Sequence, residues 1–276
     1  MPATLSLMKA YNINVNASTK MKDKEINFND EQLLHYSRQI MLPHFGIEGQ
    51  QRLRGAHVVI MGVGGLGSPA ALYLAAAGVG TLTLVDFDTV DNSNLQRQII
   101  HNTGSIGTSK VSSAKDTLLA LNPETSIHCI DKQLTLDELK SLITDVSCVI
   151  DATDNFDTRF LINHACVAQQ VALISAAAIQ YEGQISVFDL RHKDSACYAC
   201  LYAEGGEENT NCSDNGILAP VVGILGSMQA LEAIKLICDI GETLKNRLLI
   251  FDALALQWRT MKLNRDPNCP VCKSSR

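Results

Sequence analysis

The chain has 276 residues and a formal net charge of −6, from 29 acidic and 23 basic side chains. Hydrophobic residues make up 46% of it, which supplies a buried core and excludes a disordered chain. The acidic balance disfavours a broad nucleic-acid surface, no apolar run reaches the roughly 20 residues of a membrane span, and no apolar stretch near Met1 reads as a signal peptide. Nine cysteines without such a signal fit a reducing, cytoplasmic setting, where thiols bind metal or react more often than they pair.

In chain order, residues 1–28 are polar and aperiodic, and a mobile arm is expected there, with Met21 as an alternative start. Asn29 or Asp30 caps a helix over Glu31–Ile40, with Leu33, Leu34, Ser37 and Ile40 on one face, and a short helix follows over Ile47–Arg54. His57–Met61 is a continuous apolar run that reads as a buried parallel strand. Ser68–Ala77 is a helix with Pro69 at its first position, Thr81–Val85 a strand, Lys110–Leu121 a helix and Ser126–Ile130 a strand. The pattern repeats with helix Leu136–Ile143, strand Ser147–Asp151, helix Phe156–Gln169 and strand Ala172–Ser175. Strands alternating with helices predict an α/β, Rossmann-like, mostly parallel sheet with helices on both faces. The last third differs: strand Gln184–Leu190, a polar cysteine-bearing loop over Ser195–Asn215, an apolar helix over Val221–Cys238, and strands Leu248–Asp252 and Gln257–Leu263 as an antiparallel C-terminal extension. No sharp linker divides residues 29–276, so a single domain is expected.

Gly62, Gly64, Gly65 and Gly67 form a GxGxxG loop between strand and helix, where backbone N–H groups and the helix dipole attract phosphate. Asp86, about 20 residues on, ends the next strand, where its carboxylate can accept from ribose hydroxyls. Arg97 and Lys110 then place cations able to neutralise a triphosphate and a departing pyrophosphate. Two surface cations on a solvated loop is the plainer reading. Asp154 follows a further buried strand and suits Mg²⁺ or, equally, the N-cap of the next helix.

Cys197-x-x-Cys200 and Cys269-x-x-Cys272 are separated by 68 residues. Two such pairs in polar loops fit a closed zinc site of structural type, with four thiolate ligands. Cys129, Cys148, Cys166 and Cys238 sit among apolar neighbours and read as core residues. Cys212, in a polar loop, is either a nucleophile or an inert thiol. The histidines lack ligand spacing and no GxSxG elbow is present.

Tyr36-Ser-Arg38-Gln-Ile, the glycine loop, Ser93-Asn-Leu-Gln-Arg97-Gln, Lys110, Thr153-Asp-Asn155, both CxxC pairs, Gly216-Ile-Leu-Ala-Pro220 and Gln229-Ala-Leu-Glu-Ala-Ile-Lys235 occur in one order. In this combination the chain resembles, over about residues 30–273, the ThiF/MoeB/HesA family of ubiquitin-activating-like adenylyltransferases. The resemblance implies ATP-dependent adenylation of the Gly-Gly carboxylate of a ubiquitin-like sulfur carrier, with pyrophosphate released before thiocarboxylate formation. It implies that Gly65, Asp86, Ser93, Asn94, Leu95, Gln96, Arg97, Lys110, Asp154 and Asn155 bind ATP, and that Asp154 also holds Mg²⁺. It implies an ATP-binding half over 29–175 and a carrier-binding, zinc-bearing part over 176–276. Arg38 resembles an arginine inserted into a neighbouring subunit's site, which implies a homodimer. Cys212 matches a loop cysteine used for sulfur or thioester transfer in some members. Sulfur would come from a separate protein, such as a cysteine desulfurase or rhodanese. Leu84–Val90 and Glu182–Phe188 look like the branch serving MoaD-type carriers, and Gln257-Trp-Arg259 like the branch serving ThiS. Competing classes are an NAD-dependent oxidoreductase, a zinc-stabilised interaction module and a tRNA-modifying relative.

Overall fold

The computed structural model describes residues 26–204 and 216–273. The expected arm therefore lies outside the described residues up to residue 25, and so does Cys212. Residues 26–28 are docked: the Ile26 carbonyl accepts from Gln51 Nε2 at 3.0 Å, and Phe28 meets Tyr36 edge-on.

The helical elements are α1 (Asp30–His35), α2 (Ser37–Ile40), α3 (Gly46–Gly55), α4 (Gly67–Ala76), α5 (Lys110–Leu121), α6 (Leu136–Leu142), α7 (Phe156–Gln169) and α8 (Ala219–Cys238). The strands are β1 (His57–Met61), β2 (Thr81–Val85), β3 (Ser126–Ile130), β4 (Cys148–Asp151), β5 (Leu173–Ile179), β6 (Glu182–Phe188), β7 (Arg247–Asp252) and β8 (Gln257–Lys262). They form one eight-stranded sheet in the order β3-β2-β1-β4-β5-β6-β7-β8. The first five of that order run parallel, and β6, β7 and β8 join by antiparallel pairing.

The inner strands β1, β2 and β4 are buried on both faces because both faces are covered, whereas the edge strands β3 and β8 are largely exposed. Val58, Ile60, Leu82 and Ile150 pack with Leu74, Val111, Leu118 and Leu225 on one side. Val59, Met61 and Val149 pack with Leu139, Phe160 and Ile162 on the other. Helices therefore lie on both faces, as expected. The chain runs from β1 outward through β2 and β3, then returns to place β4 against β1 on the opposite side. At such a reversal the loops leaving the strands diverge and open a crevice at their carboxyl ends.

Four details differ from the sequence reading. The helix expected over Glu31–Ile40 breaks at Tyr36 (φ −92°, ψ 6°), whose buried ring is held by Asn122 Nδ2 donating to its hydroxyl at 2.9 Å. With the break, Leu34 no longer shares one continuous helical face with Ser37 and Ile40, and it is 76% exposed. β5 continues to Ile179 because its second half pairs with β6 as a hairpin. Cys129 is exposed, not core, because β3 is an edge strand, whereas Cys148, Cys166 and Cys238 are buried.

By length and apolar composition, α8 also satisfies the requirements of a membrane span, although a count of uninterrupted apolar residues does not find it. It packs on α4 and β5. Its polar Gln229 and Glu232 are buried, the former donating to the Asp151 and Ile174 carbonyls and the latter accepting from Leu244 N–H. At the far end of the sheet, β8 is exposed at all six positions, and its outer edge pairs with no described strand.

Candidate adenylating site and cysteine cluster

A cavity of about 560 Å³ occupies the crevice at the carboxyl ends of the parallel strands. The glycine loop leaves β1 along its floor. Gly62 has φ +88°, which an L side chain tolerates poorly, and a Cβ at Gly67 would stand 2.0 Å from the Gly62 carbonyl oxygen. Gly67 thus keeps α4 close to the strand it follows. Gly67→Ala should lower stability by roughly 3 kcal/mol by forcing that backbone apart, readable in a thermal melt. Gly65 faces Val222 of α8, whose Cγ2 would be 2.9 Å from an added Cβ.

Asp86, one residue beyond β2, locks the loop from the side. Its Oδ2 accepts from Val63 N–H at 2.7 Å and its Oδ1 from Asp88 N–H at 3.0 Å. Burial raises its pKa above the ordinary carboxylate value, against the opposing pull of Lys110 and the two N–H donors. The fold therefore favours the protonated acid: this contribution to stability is full below the unfolded value and is lost as pH rises through the raised one. The ribose contact that the family resemblance implies for Asp86 would run the other way, because a hydroxyl donating to it needs the carboxylate. ATP affinity should weaken as pH falls towards that raised value, and titrating ATP against pH should show Asp86→Asn flat over the same range.

Arg97 and Lys110 reach the cavity from different stretches of chain. Asp91 caps the 3₁₀ turn Asn92–Asn94, accepting from Ser93 N–H at 2.8 Å, and Arg97 Nη1 donates to the Ser93 carbonyl at 3.1 Å. Ser93, Asn94, Leu95 and Gln96 do not line the cavity; their turn aims Arg97 at it. Lys110, first residue of α5, is buried and its Nζ pairs with Asp88 Oδ2 at 2.8 Å.

Asp151, the last residue of β4, is fully buried and accepts from Thr153 N–H (3.1 Å), Thr153 Oγ1 (2.7 Å) and Ser175 Oγ (2.7 Å). These bonds shape the turn that presents Asp154 and Asn155 to the cavity. The alternative reading of Asp154 as a helix cap is corrected: Asn155 caps α7, accepting from Thr158 N–H at 2.9 Å. Among the described residues the Asp154 carboxylate, which is exposed, has no hydrogen bond or ion pair, leaving a hard oxygen donor available for a cation such as Mg²⁺.

Eight expected residues therefore converge on the cavity: Gly62, Gly64, Gly65, Asp86, Arg97, Lys110, Asp154 and Asn155. Arg38 does not line it; it is exposed on α2. Sequence reasoning missed Asp88, Gln98, Asp151 and Val222. Val222 belongs to a helix more than a hundred residues away and carries no motif. Gln98 closes the motif over residues 93–98, which gave it no role.

The four motif cysteines form a second cluster. Sγ atoms of Cys197 and Cys269 are 3.6 Å apart, those of Cys200 and Cys272 3.6 Å, and those of Cys197 and Cys200 3.8 Å, with all four within 4.8 Å. A tetrahedral ion with metal–sulfur bonds of about 2.3 Å sets its ligands about 3.8 Å apart, so the quartet fits zinc. Asn163 of α7 supports it, donating from Nδ2 towards Cys197 Sγ at 3.8 Å and accepting from Tyr198 N–H at 2.9 Å. Cys200 and burial push the Cys197 thiol up, while the Cys197 hydrogen bond pulls Cys200 down.

The ThiF family model matches residues 36–271. The chain belongs to the ThiF family. It is 46% identical over 243 residues to the molybdopterin-synthase adenylyltransferase of Salmonella typhimurium, covering 88% of this chain and 97% of that one. It is 45% identical over 247 residues to the sulfur carrier protein ThiS adenylyltransferase of Escherichia coli, covering 90% and 98%. The Drosophila yakuba adenylyltransferase and sulfurtransferase MOCS3 is 43% identical over 248 residues, which cover 89% of this ThiF-family chain but 54% of that relative. Among solved structures, E. coli MccB with MccA-N7isoASN superposes with a TM-score of 0.77 at 24% identity, over 88% of this chain and 75% of that one, a likeness of fold.

Proposed function

We propose that this chain is an adenylyltransferase that joins AMP to the C-terminal Gly-Gly carboxylate of a ubiquitin-like sulfur carrier, releases pyrophosphate and readies the carrier for thiocarboxylate formation. The observation that carries this reading is the convergence of the glycine loop, Asp86, Arg97, Lys110 and Asp154 on one cavity. A MoaD-type carrier is favoured by the relatives named for molybdopterin synthase. A ThiS-type carrier is the second reading, favoured by the 45%-identical relative named for it. An NAD-dependent oxidoreductase would leave two cations converging on the phosphate region without a use.

A carrier carboxylate oxygen attacks the α-phosphorus, and the bond from that phosphorus to the oxygen of the departing pyrophosphate breaks. Reactants and leaving group are all anionic, so the site must supply positive charge. Arg97 and Lys110 do this, Lys110 exchanging Asp88 for the phosphates. Asp86 orients the ribose, and the backbone of the glycine loop receives the phosphates. Asp154, with Asn155 beside it, would hold Mg²⁺, which shields charge on the phosphates.

Cys197, Cys200, Cys269 and Cys272 would bind structural zinc; four thiolates leave no open position for chemistry. Arg38 would act in the partner's site of a homodimer. Its exposure supports this, as do Leu34, Met41 and Leu42 nearby, at 76%, 49% and 55% exposed. Sulfur would arrive from a separate cysteine desulfurase or rhodanese, in the cytoplasm. Cys212 remains a proposed participant in that transfer.

The test is ATP–pyrophosphate exchange by zinc-loaded protein with Mg²⁺, run alone, with a MoaD-type carrier and with a ThiS-type carrier. Exchange that depends on one carrier is the expected result and names the pathway. Folded dimeric protein that exchanges with neither would overturn the reading.

A further inference from the structure

Gln98 has a buried amide with nothing among the described residues to bond. It is 4% exposed, its Oε1 has no hydrogen-bond partner, and its Nε2 makes none either. Leaving a buried polar atom unpaired costs about 1–3 kcal/mol, so such an atom in a cavity wall signals a partner that arrives with a ligand. The side chain lines the cavity against the glycine loop, its Nε2 3.6 Å from where a Cβ on Gly64 would stand. Arg97 precedes it in the chain, and Gly64 belongs to the phosphate-binding loop. Gln98 therefore lines the cavity between the glycine loop and Arg97, beside the place where the reading above puts the phosphates.

A primary amide offers one acceptor and one donor side by side. Its complement is a group with an N–H and an anionic or carbonyl oxygen on the same edge. In an extended chain, the N–H and the carboxyl oxygen of a single residue point the same way. Adenine presents a similar edge, but with the ribose on Asp86, as proposed above, the cavity offers the base a separate wall at Lys132, Gln133 and Leu134, which follow β3. Phosphate oxygens accept only and would leave Oε1 unpaired.

We infer that Gln98 reads the terminal glycine of the carrier, its Oε1 accepting from that glycine's N–H while its Nε2 donates to the reacting carboxylate. This deepens the adenylation reading and rests on it. Both bonds hold the carboxylate at the α-phosphorus, and both use atoms that every extended C-terminal residue has. Selection for glycine itself falls to the packing around Gly65 and Val222.

The experiment pairs two changes. One is Gln98→Met, which keeps length and packing but removes both polar ends. The other is a semisynthetic MoaD-type carrier whose last peptide N–H is replaced by an ester oxygen. Each alone should lower kcat/KM for the carrier about 10- to 100-fold in ATP–pyrophosphate exchange, with the KM for ATP within about threefold of wild type. Together they should lose little more than either alone, because both remove the same contact. Gln98→Glu, of the same shape but without the donor and carrying charge towards a carboxylate, should fall further than Gln98→Met. Losses that multiply, a Gln98→Glu variant exchanging at the wild-type rate, or a rise in KM for ATP without an effect on the carrier would each overturn the inference while leaving adenylation standing. Wild-type protein that exchanges with neither an unmodified MoaD-type nor an unmodified ThiS-type carrier would overturn both.

Discussion

Arg97→Ala and Lys110→Ala should each slow ATP–pyrophosphate exchange by about 10²- to 10³-fold while the protein stays folded. The size follows from where the charges sit. In water, one cation near a triphosphate contributes little, because solvent already screens it. Lys110 is buried, and a charge fixed in a wall of low polarisability acts more strongly on anions brought beside it. Its present partner, Asp88, is half exposed, so the pair can open without stranding a carboxylate in the core. Arg97 differs: its guanidinium is tethered to the Ser93 carbonyl, and it should not be replaceable by lysine, which cannot both keep that tether and fork onto phosphate oxygens. Arg97→Lys should therefore recover only a small part of the loss. Unchanged melting temperatures beside lost exchange would locate the effect in chemistry; near wild-type exchange in both alanine variants would remove these residues from the mechanism.

Cys197→Ser should abolish binding of the proposed zinc and destabilise the C-terminal third, by about 3–5 kcal/mol or more. The cluster joins chain segments 72 residues apart, from Cys197 to Cys269. Without an ion, three buried thiols and one half-buried one face each other with only weak S–H hydrogen bonds between them. Metal content by elemental analysis should fall from near one zinc per chain to near none, and chelator should lower the melting temperature of wild type but not of the variant. Cys148→Ser offers the contrast. That thiol is fully buried in β4, its pKa pushed up to about 12 by burial, so replacing it should leave zinc content unchanged.

The sheet was legible because each parallel strand is a short apolar run and each helix between them carries its own stop and start. Asn122-Pro123 closes α5, and Thr135 opens α6 with a capping box that is local in sequence. Where tertiary contacts decide, the sequence was silent. Nothing near Tyr36 announces that Asn122, 86 residues away, holds it out of helical register. The hairpin that lengthens β5 is built against β6 and α8, and the apolar residues 176–179 that form its second half lie beyond Ser175, where the strand was expected to end. Site residues were legible where chemistry needs a residue type at a fixed offset, as in the glycine loop, Asp86, Arg97 and the cysteine pairs. Asp151 was not, since its carboxylate works inward on Thr153 and Ser175, and a buried acid at the end of a strand has no signature of its own. Asp154 was ambiguous because an Asp and an Asn stand side by side before a helix, and only geometry shows which of them caps it.

The open flank of β8 bears on how this protein behaves in a test tube. An unpaired strand edge offers a row of main-chain donors and acceptors to any second copy. Arg259 and Lys262, carried on that strand, discourage two such edges from meeting by like-charge repulsion. That protection is electrostatic and has a range of about 10 Å at 0.1 M salt, shrinking to about 3 Å at 1 M. Concentrated stocks should accordingly turn cloudy in strong salt sooner than in dilute buffer, and replacing Arg259 and Lys262 with Gln should bring the haze on at lower ionic strength.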